Sequence, residues 1–172
     1  AVSGPGDQLY GGAGNDVLQA GSGASRTTLY EESGYDTFRF QGMDLGYVAI
    51  EPNANDVEET DDILDFTGMA HPVQVSLESN LPQIVNDDLN LALIQKKWHV
   101  SEFYFLNLDC AIGTIFDDHL TGNELDNRLD GGLGNDQLHG LDGNDWLIGR
   151  EGDDTLFGGM GEDHLEGNDG ND

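Results

Sequence analysis

Near the end of the chain leucine recurs at every ninth residue: Leu120, Leu129, Leu138, Leu147, Leu156 and Leu165. Two residues before each stands Asp118, Asn127, Asp136, Asp145, Asp154 or Asp163, and Asp172 continues the series. Glycine opens each unit, at 113, 122, 131, 140, 149, 158 and 167. Read in nines, the stretch runs GTIFDDHLT, GNELDNRLD, GGLGNDQLH, GLDGNDWLI, GREGDDTLF, GGMGEDHLE and a partial GNDGND. Such a period predicts a solenoid of stacked units, each burying its apolar residue only against its neighbours. Side-chain alternation places position 8 inward and positions 7 and 9 outward on a three-residue strand, with the first six residues as a turn. Two units make one coil, so turns eighteen residues apart stack on the same edge, and the strands pair in parallel.

The pattern is weaker at the other end. GGAGNDVLQ (11–19) is a full unit with Asp16 and Leu18, and VSGPGDQLY (2–10) carries Asp7 and Leu9. Ala20 and Gly21 break the phase. SGASRTTLY (22–30) has Thr27 at position 6, and EESGYDTFR (31–39) recovers Gly34, Asp36 and Phe38. From about residue 41 to 112 the period disappears. Val73, Val75 and Leu77 alternate with polar residues, as do Leu89, Leu91 and Leu93, and 103–108 is aromatic and apolar. Period two with β-branched and aromatic residues favours strands; for 89–98 a short helix is the alternative. Pro52, Pro72 and Pro82 mark turns, and the acidic run 51–62 reads as a loop, with an extra cation site as the lesser reading. The expectation is an all-β chain in three parts: a short repeat block (1–40), a β-rich insert (41–112) and the main block (113–172).

Charge sharpens this picture. The formal net charge is -28, from 34 acidic against six basic residues. Nucleic acid and anionic membrane surfaces are excluded as partners, because both need a cationic footprint. No apolar run reaches the ~18 residues of a spanning helix, so membrane insertion by this segment is not expected. Uncompensated, such charge opposes compaction. Cys110 is the single cysteine, so no intrachain disulfide forms. No signal peptide is visible, and the abrupt ends suggest a monomeric fragment of a longer chain.

The stacking rule sorts the acids into two columns: Asp118, Asp136, Asp154 and Asp172 on one edge, and Asn127, Asp145 and Asp163 on the other. Like charges held this close need a cation between them. Carboxylate and carbonyl oxygens, without thiol or imidazole, suit calcium better than magnesium. Sites are expected at Asp118/Asp136, Asp136/Asp154, Asp154/Asp172, Asn127/Asp145 and Asp145/Asp163, the Asn127 site being weaker. In the first block Asp16 and Asp36 form the best pair, and Asp7 faces Thr27 without a full site. The count is about six calcium ions.

These repeats resemble the RTX, or haemolysin-type calcium-binding, family, over about half of the chain. The resemblance implies a right-handed calcium-binding parallel β-roll in two repeat blocks separated by the insert. It also implies that carbonyls of positions 1 to 4 join the position-6 aspartate as ligands. Those would be Gly131, Gly132, Leu133 and Gly134 with Asp136, and Gly140, Leu141, Asp142 and Gly143 with Asp145. They would equally be Gly149, Arg150, Glu151 and Gly152 with Asp154, and Gly158, Gly159, Met160 and Gly161 with Asp163. Units 113–130 depart from the pattern, with Thr114 and Phe116, then Asn123 and Leu125, at positions 2 and 4. The family further implies a secreted or cell-surface bacterial protein exported by type I secretion.

Competing chemistries lack their signatures. No HExxH, GxSxG or lysine-bearing phosphate loop occurs, and Asp142, Asn144 and Asp145 do not have EF-hand spacing. The chain is read as a non-enzymatic module of an adhesin or toxin that folds on meeting calcium. The alternative is the calcium-dependent tail of a secreted hydrolase or polysaccharide-modifying enzyme. A surface carbohydrate or a protein is the candidate ligand, with Trp98, Phe103 and Tyr104 as a sugar-stacking surface on the insert.

Overall fold

The computed structural model describes residues 8–20, 27–31, 34–42, 45–52, 62–77, 83–86, 89–93, 97–98, 102–103 and 108–172. Among them there is no helix. The strands are β1 (Gln8–Tyr10), β2 (Val17–Ala20), β3 (Thr27–Glu31), β4 (Thr37–Gly42), β5 (Gly46–Pro52), β6 (Asp62–Met69), β7 (Gln74–Ser76), β8 (Gln83–Asn86) and β9 (Leu89–Leu93). They continue with β10 (Lys97–Trp98), β11 (Glu102–Phe103), β12 (Leu108–Ile112), β13 (His119–Thr121), β14 (Arg128–Leu133), β15 (Gln137–Asp142), β16 (Trp146–Glu151), β17 (Thr155–Met160) and β18 (His164–Asp169). Residues 89–93 are thus a strand.

Seven strands form one continuous sheet in the order β18-β16-β14-β12-β6-β4-β2, and all its pairings are parallel. Successive strands in the main block alternate between this sheet and a second one, ordered β17-β15-β13-β7. At the other end β1, β3 and β5 play the second role, in a sheet ordered β1-β3-β5-β9-β8. The chain is a parallel β-roll. Its long sheet takes β6 and β12 from the segment between the repeat blocks, so the coil continues through residues that show no nine-residue period. Among the described residues the antiparallel pairs are β8 with β9 and β10 with β11.

The core is one inward column per sheet. Leu18, Phe38, Leu64, Ala111, Leu129 and Leu147 follow one another across the long sheet in strict register. Val75, Leu120 and Leu138 face them from the second sheet. Every member of both columns is buried. Fully burying one such side chain contributes roughly 1.5–3 kcal/mol, so the column drives stacking once charge permits it. In β4 and β6 the next inward position holds Phe40 and Phe66, stacked at 4.8 Å, where the main block has glycine.

Each strand in 128–169 spans six residues, positions 7 to 9 and then 1 to 3 of the following unit, instead of the expected three. The glycines at positions 1 and 2 carry no strand propensity, yet they pair because the neighbouring coil offers a matching edge. The turn therefore contracts to positions 4 to 6.

Candidate metal centre

Position 4 is glycine throughout 131–172 for a steric reason. Gly134, Gly143, Gly152, Gly161 and Gly170 all have left-handed φ, from 112° to 157°. A Cβ on any of them would collide with the backbone of the turn stacked beneath. Position 2 is left-handed too, but side chains are accepted there: Leu141, Arg150 and Asn168 have φ of 89°, 88° and 75°. Position 1 is closed for another reason, because a Cβ on Gly131, Gly140, Gly149 or Gly158 would strike Oδ2 of the aspartate five residues later.

The position-6 residues stack as the eighteen-residue spacing requires. Asp118 N–H donates to Asp136 Oδ1 at 2.7 Å, Asp136 N–H to Asp154 Oδ1 at 2.8 Å, and Asp154 N–H to Asp172 Oδ1 at 2.9 Å. On the other edge Asn127 N–H donates to Asp145 Oδ1 at 2.8 Å and Asp145 N–H to Asp163 Oδ1 at 3.1 Å. Asp16 N–H donates to Asp36 Oδ1 at 2.9 Å, so the first-block pair is brought together as well. Asp36 N–H then donates to Asp62 Oδ1 at 2.8 Å, which adds Asp62 to this column. In the sequence Asp62 stands only as the end of the acidic run 51–62, whose lesser reading is an extra cation site; its place in the column is marked by Leu64 two residues later, and residues 53–61 lie outside the described residues.

A second ladder runs outside the first and in the opposite sense. Asn135 N–H donates to Asp117 Oδ1, Asp153 N–H to Asn135 Oδ1 and Asn171 N–H to Asp153 Oδ1. Asn144 and Glu162 continue it on the other edge, through Asp126 and Asn144. Position 5 thus reaches toward the following coil and position 6 toward the preceding one. The sequence carried this as Asp or Asn at nearly every position 5.

What the ladders leave over defines the site. Oδ2 of Asp136, Asp145 and Asp154 is buried with no hydrogen-bond donor. An unpartnered buried carboxylate oxygen is costly unless a cation meets it. A Cβ on Gly140 would meet both Asp145 Oδ2 and the carbonyl oxygen of Gly158, so these two acceptors border the same small space. Burial pushes the Asp136 carboxyl up to about 7, with the charges of Asp118 and Asp154 adding to it. Burial raises Asp145 and Asp154 in the same direction. Among the described residues no three His, Cys, Asp or Glu side chains converge. One carboxylate per turn with main-chain oxygens around it is a hard-oxygen donor set, which fits calcium and not a transition metal.

Asp118 and Asn127 stand in the columns but differ chemically. Asp118 Oδ2 accepts Thr114 N–H at 2.5 Å, and its Oδ1 accepts Val73 N–H at 2.6 Å and the Thr114 hydroxyl at 3.1 Å. Asn127 Oδ1 accepts Asn123 N–H at 2.7 Å, while its Nδ2 donates to Asn123 Oδ1 at 3.1 Å. None of Thr114, Phe116, Asn123 and Leu125 has positive φ. A position-2 residue outside the left-handed region turns its N–H onto the position-6 side chain.

Elsewhere, the Arg150 side chain leaves its turn and binds Asp130 through Nε and, at 2.5 Å, through Nη2. His119, His139 and Phe157 stack on the outer face of the second sheet. The side chains of Trp98 and Phe103, and all of Tyr104, lie outside the described residues.

Fold and turns together define a solenoid that stacks one carboxylate per turn against main-chain oxygens. The family model of the RTX calcium-binding nonapeptide repeat matches in four copies, over residues 6–25, 112–147 and 139–172, so the repeats of this chain are similar to that family. Repeats of this family bind calcium. No curated protein matches the chain.

Proposed function

We propose that the chain is a calcium-binding β-roll module of a secreted bacterial protein, and that calcium couples its folding to export. The observation that carries this is the set of donorless, buried Oδ2 atoms on Asp136, Asp145 and Asp154. Each is met by calcium held between its own turn and the turn eighteen residues later, with carbonyls of positions 1 to 4 as the other ligands. The sites in this block are Asp136/Asp154, Asp145/Asp163 and Asp154/Asp172. Asp16/Asp36 is the corresponding site in the first block. Without metal the columns repel and the chain expands; with metal the turns close and leucine packs on leucine. Extracellular modules bind calcium at about 10⁻⁴–10⁻³ M, far above cytosolic levels, so folding awaits the cell exterior.

Within a longer protein this module acts as a stiff spacer or presenting segment of an adhesin or toxin. The continuous seven-stranded sheet supports that role, because it joins both repeat blocks and the segment between them. Far-UV circular dichroism with and without calcium tests the coupling. A β signal that is unchanged in excess chelator would overturn it.

A further inference from the structure

The turns of the main block come in two chemical kinds, and the division is sharp. In units from Gly131 onward, position 2 is left-handed at Gly132, Leu141, Arg150, Gly159 and Asn168. No donor reaches Oδ2 of Asp136, Asp145 or Asp154 in these turns. In units 113–121 and 122–130, position 2 is Thr114 or Asn123, outside the left-handed region, and its main-chain N–H is hydrogen-bonded to the position-6 side chain. Each also has a side-chain contact: the Thr114 hydroxyl to Asp118, and Asn127 Nδ2 to Asn123 Oδ1. The same residues close their own loops further, through Phe116 N–H on the Thr114 hydroxyl and Leu125 N–H on Asn123 Oδ1.

We infer that residues 113–130 form a metal-independent seed coil, in which Thr114 and Asn123 do the work that calcium does in later turns, and on which the calcium-loaded roll assembles. This rests on the calcium reading above. Two physical points support it. Protein donors fill the acceptor sites that a cation would take, so calcium gains little there and must displace made hydrogen bonds. The seed is also anchored on its far side, by β12 and β14 in the long sheet, by β13 on β7, and by Val73 N–H on Asp118. It then presents the main-chain N–H groups of Asp118 and Asn127 to Asp136 and Asp145, the first aspartates that need metal. A preformed coil removes the costly first step of a solenoid, in which later coils add to an existing edge.

Amide hydrogen exchange on the whole chain tests this. In chelator, amides of His119–Thr121 and Arg128–Asp130 should exchange at least about tenfold more slowly than those of β15 to β18, and calcium should then protect the latter. Equal exchange of the two groups in chelator overturns the seed. If calcium protects nothing in 137–169, the calcium reading falls and takes the seed with it. The double variant Thr114→Gly/Asn123→Gly provides a reciprocal measurement. Its 113–130 amides should lose protection in chelator and regain it with calcium, and calorimetric calcium stoichiometry should rise. Unchanged protection of the variant in chelator overturns the inference, and the wild-type comparison decides the matter if the variant does not fold.

Discussion

The main-chain N–H of Asp136 donates to Oδ1 of Asp154 at 2.8 Å, while Oδ2 of that same aspartate is buried without a donor. One carboxylate thus does two jobs: one oxygen joins coils and the other waits for charge. The two can be separated by substitution. Asp154→Asn keeps an acceptor for Asp136 but loses the anion, whereas Asp154→Ala loses both. Calcium titration followed by circular dichroism should give midpoints in the order wild type, Asn, Ala, with Ala raised at least about tenfold, equivalent to ~1.4 kcal/mol. Equal midpoints for Asn and Ala would mean that the ladder bond adds nothing.

Acid should partly replace calcium. The folded-state carboxyl of Asp136 is raised to about 7 by burial, with Asp145 and Asp154 shifted upward for the same reason. A raised acid favours the folded chain while protonated. That stabilisation is present below an unfolded value of about 4 and is lost as pH rises through about 7. In chelator the β signal should therefore be larger at pH 5 than at pH 8. In calcium the midpoint should rise as pH falls below 7, since protons and metal compete for the same oxygens. A chelated β signal that grows with pH would contradict this.

Positions 2 and 4 should respond oppositely to substitution. Gly152→Ala puts a Cβ into the backbone of Gly134 in a left-handed turn and should prevent closure of that coil. Leu141→Gly removes a left-handed strain of about 1–2 kcal/mol at a position where leucine has φ of 89°. Thermal melts in saturating calcium should show loss of stability for the first variant and a small gain for the second.

Asp130 is buried outside the metal columns and depends on Arg150. Arg150→Ala leaves Asp130 with only the more distant Arg128, at 3.8 Å. Half of the Arg150 side chain is exposed, so solvent screens the pair and the cost should be modest, about 1–3 kcal/mol. Asp130→Asn added to Arg150→Ala should restore part of that loss in a denaturant melt.

Much of the fold could be read from Leu138 and Asp136, because a strict period fixes both the inward column and the stacked acids. The unread parts share a cause: glycine marks most coils in the sequence, and coils without it carry no such mark. Asp62 and Leu64 continue the acid and core columns with no glycine before them in their unit. The two kinds of turn were visible only as missing glycines at position 4, where Phe116 and Leu125 stand, since position 2 lacks glycine in turns of both kinds. That Thr114 and Asn123 supply donors follows from backbone geometry, which a list of residue types does not contain.

Leu129 pairs with Leu147, so each coil consumes eighteen residues while advancing the stack by one strand spacing, ~4.8 Å. The same eighteen residues, uncoiled and drawn out, reach about 60 Å. Each coil that calcium closes or releases changes the reach of the chain more than tenfold. If calcium closes the coils as proposed, the module is a tether whose length is set by the ion content of its surroundings: slack where calcium is scarce, and a short rod where it is plentiful.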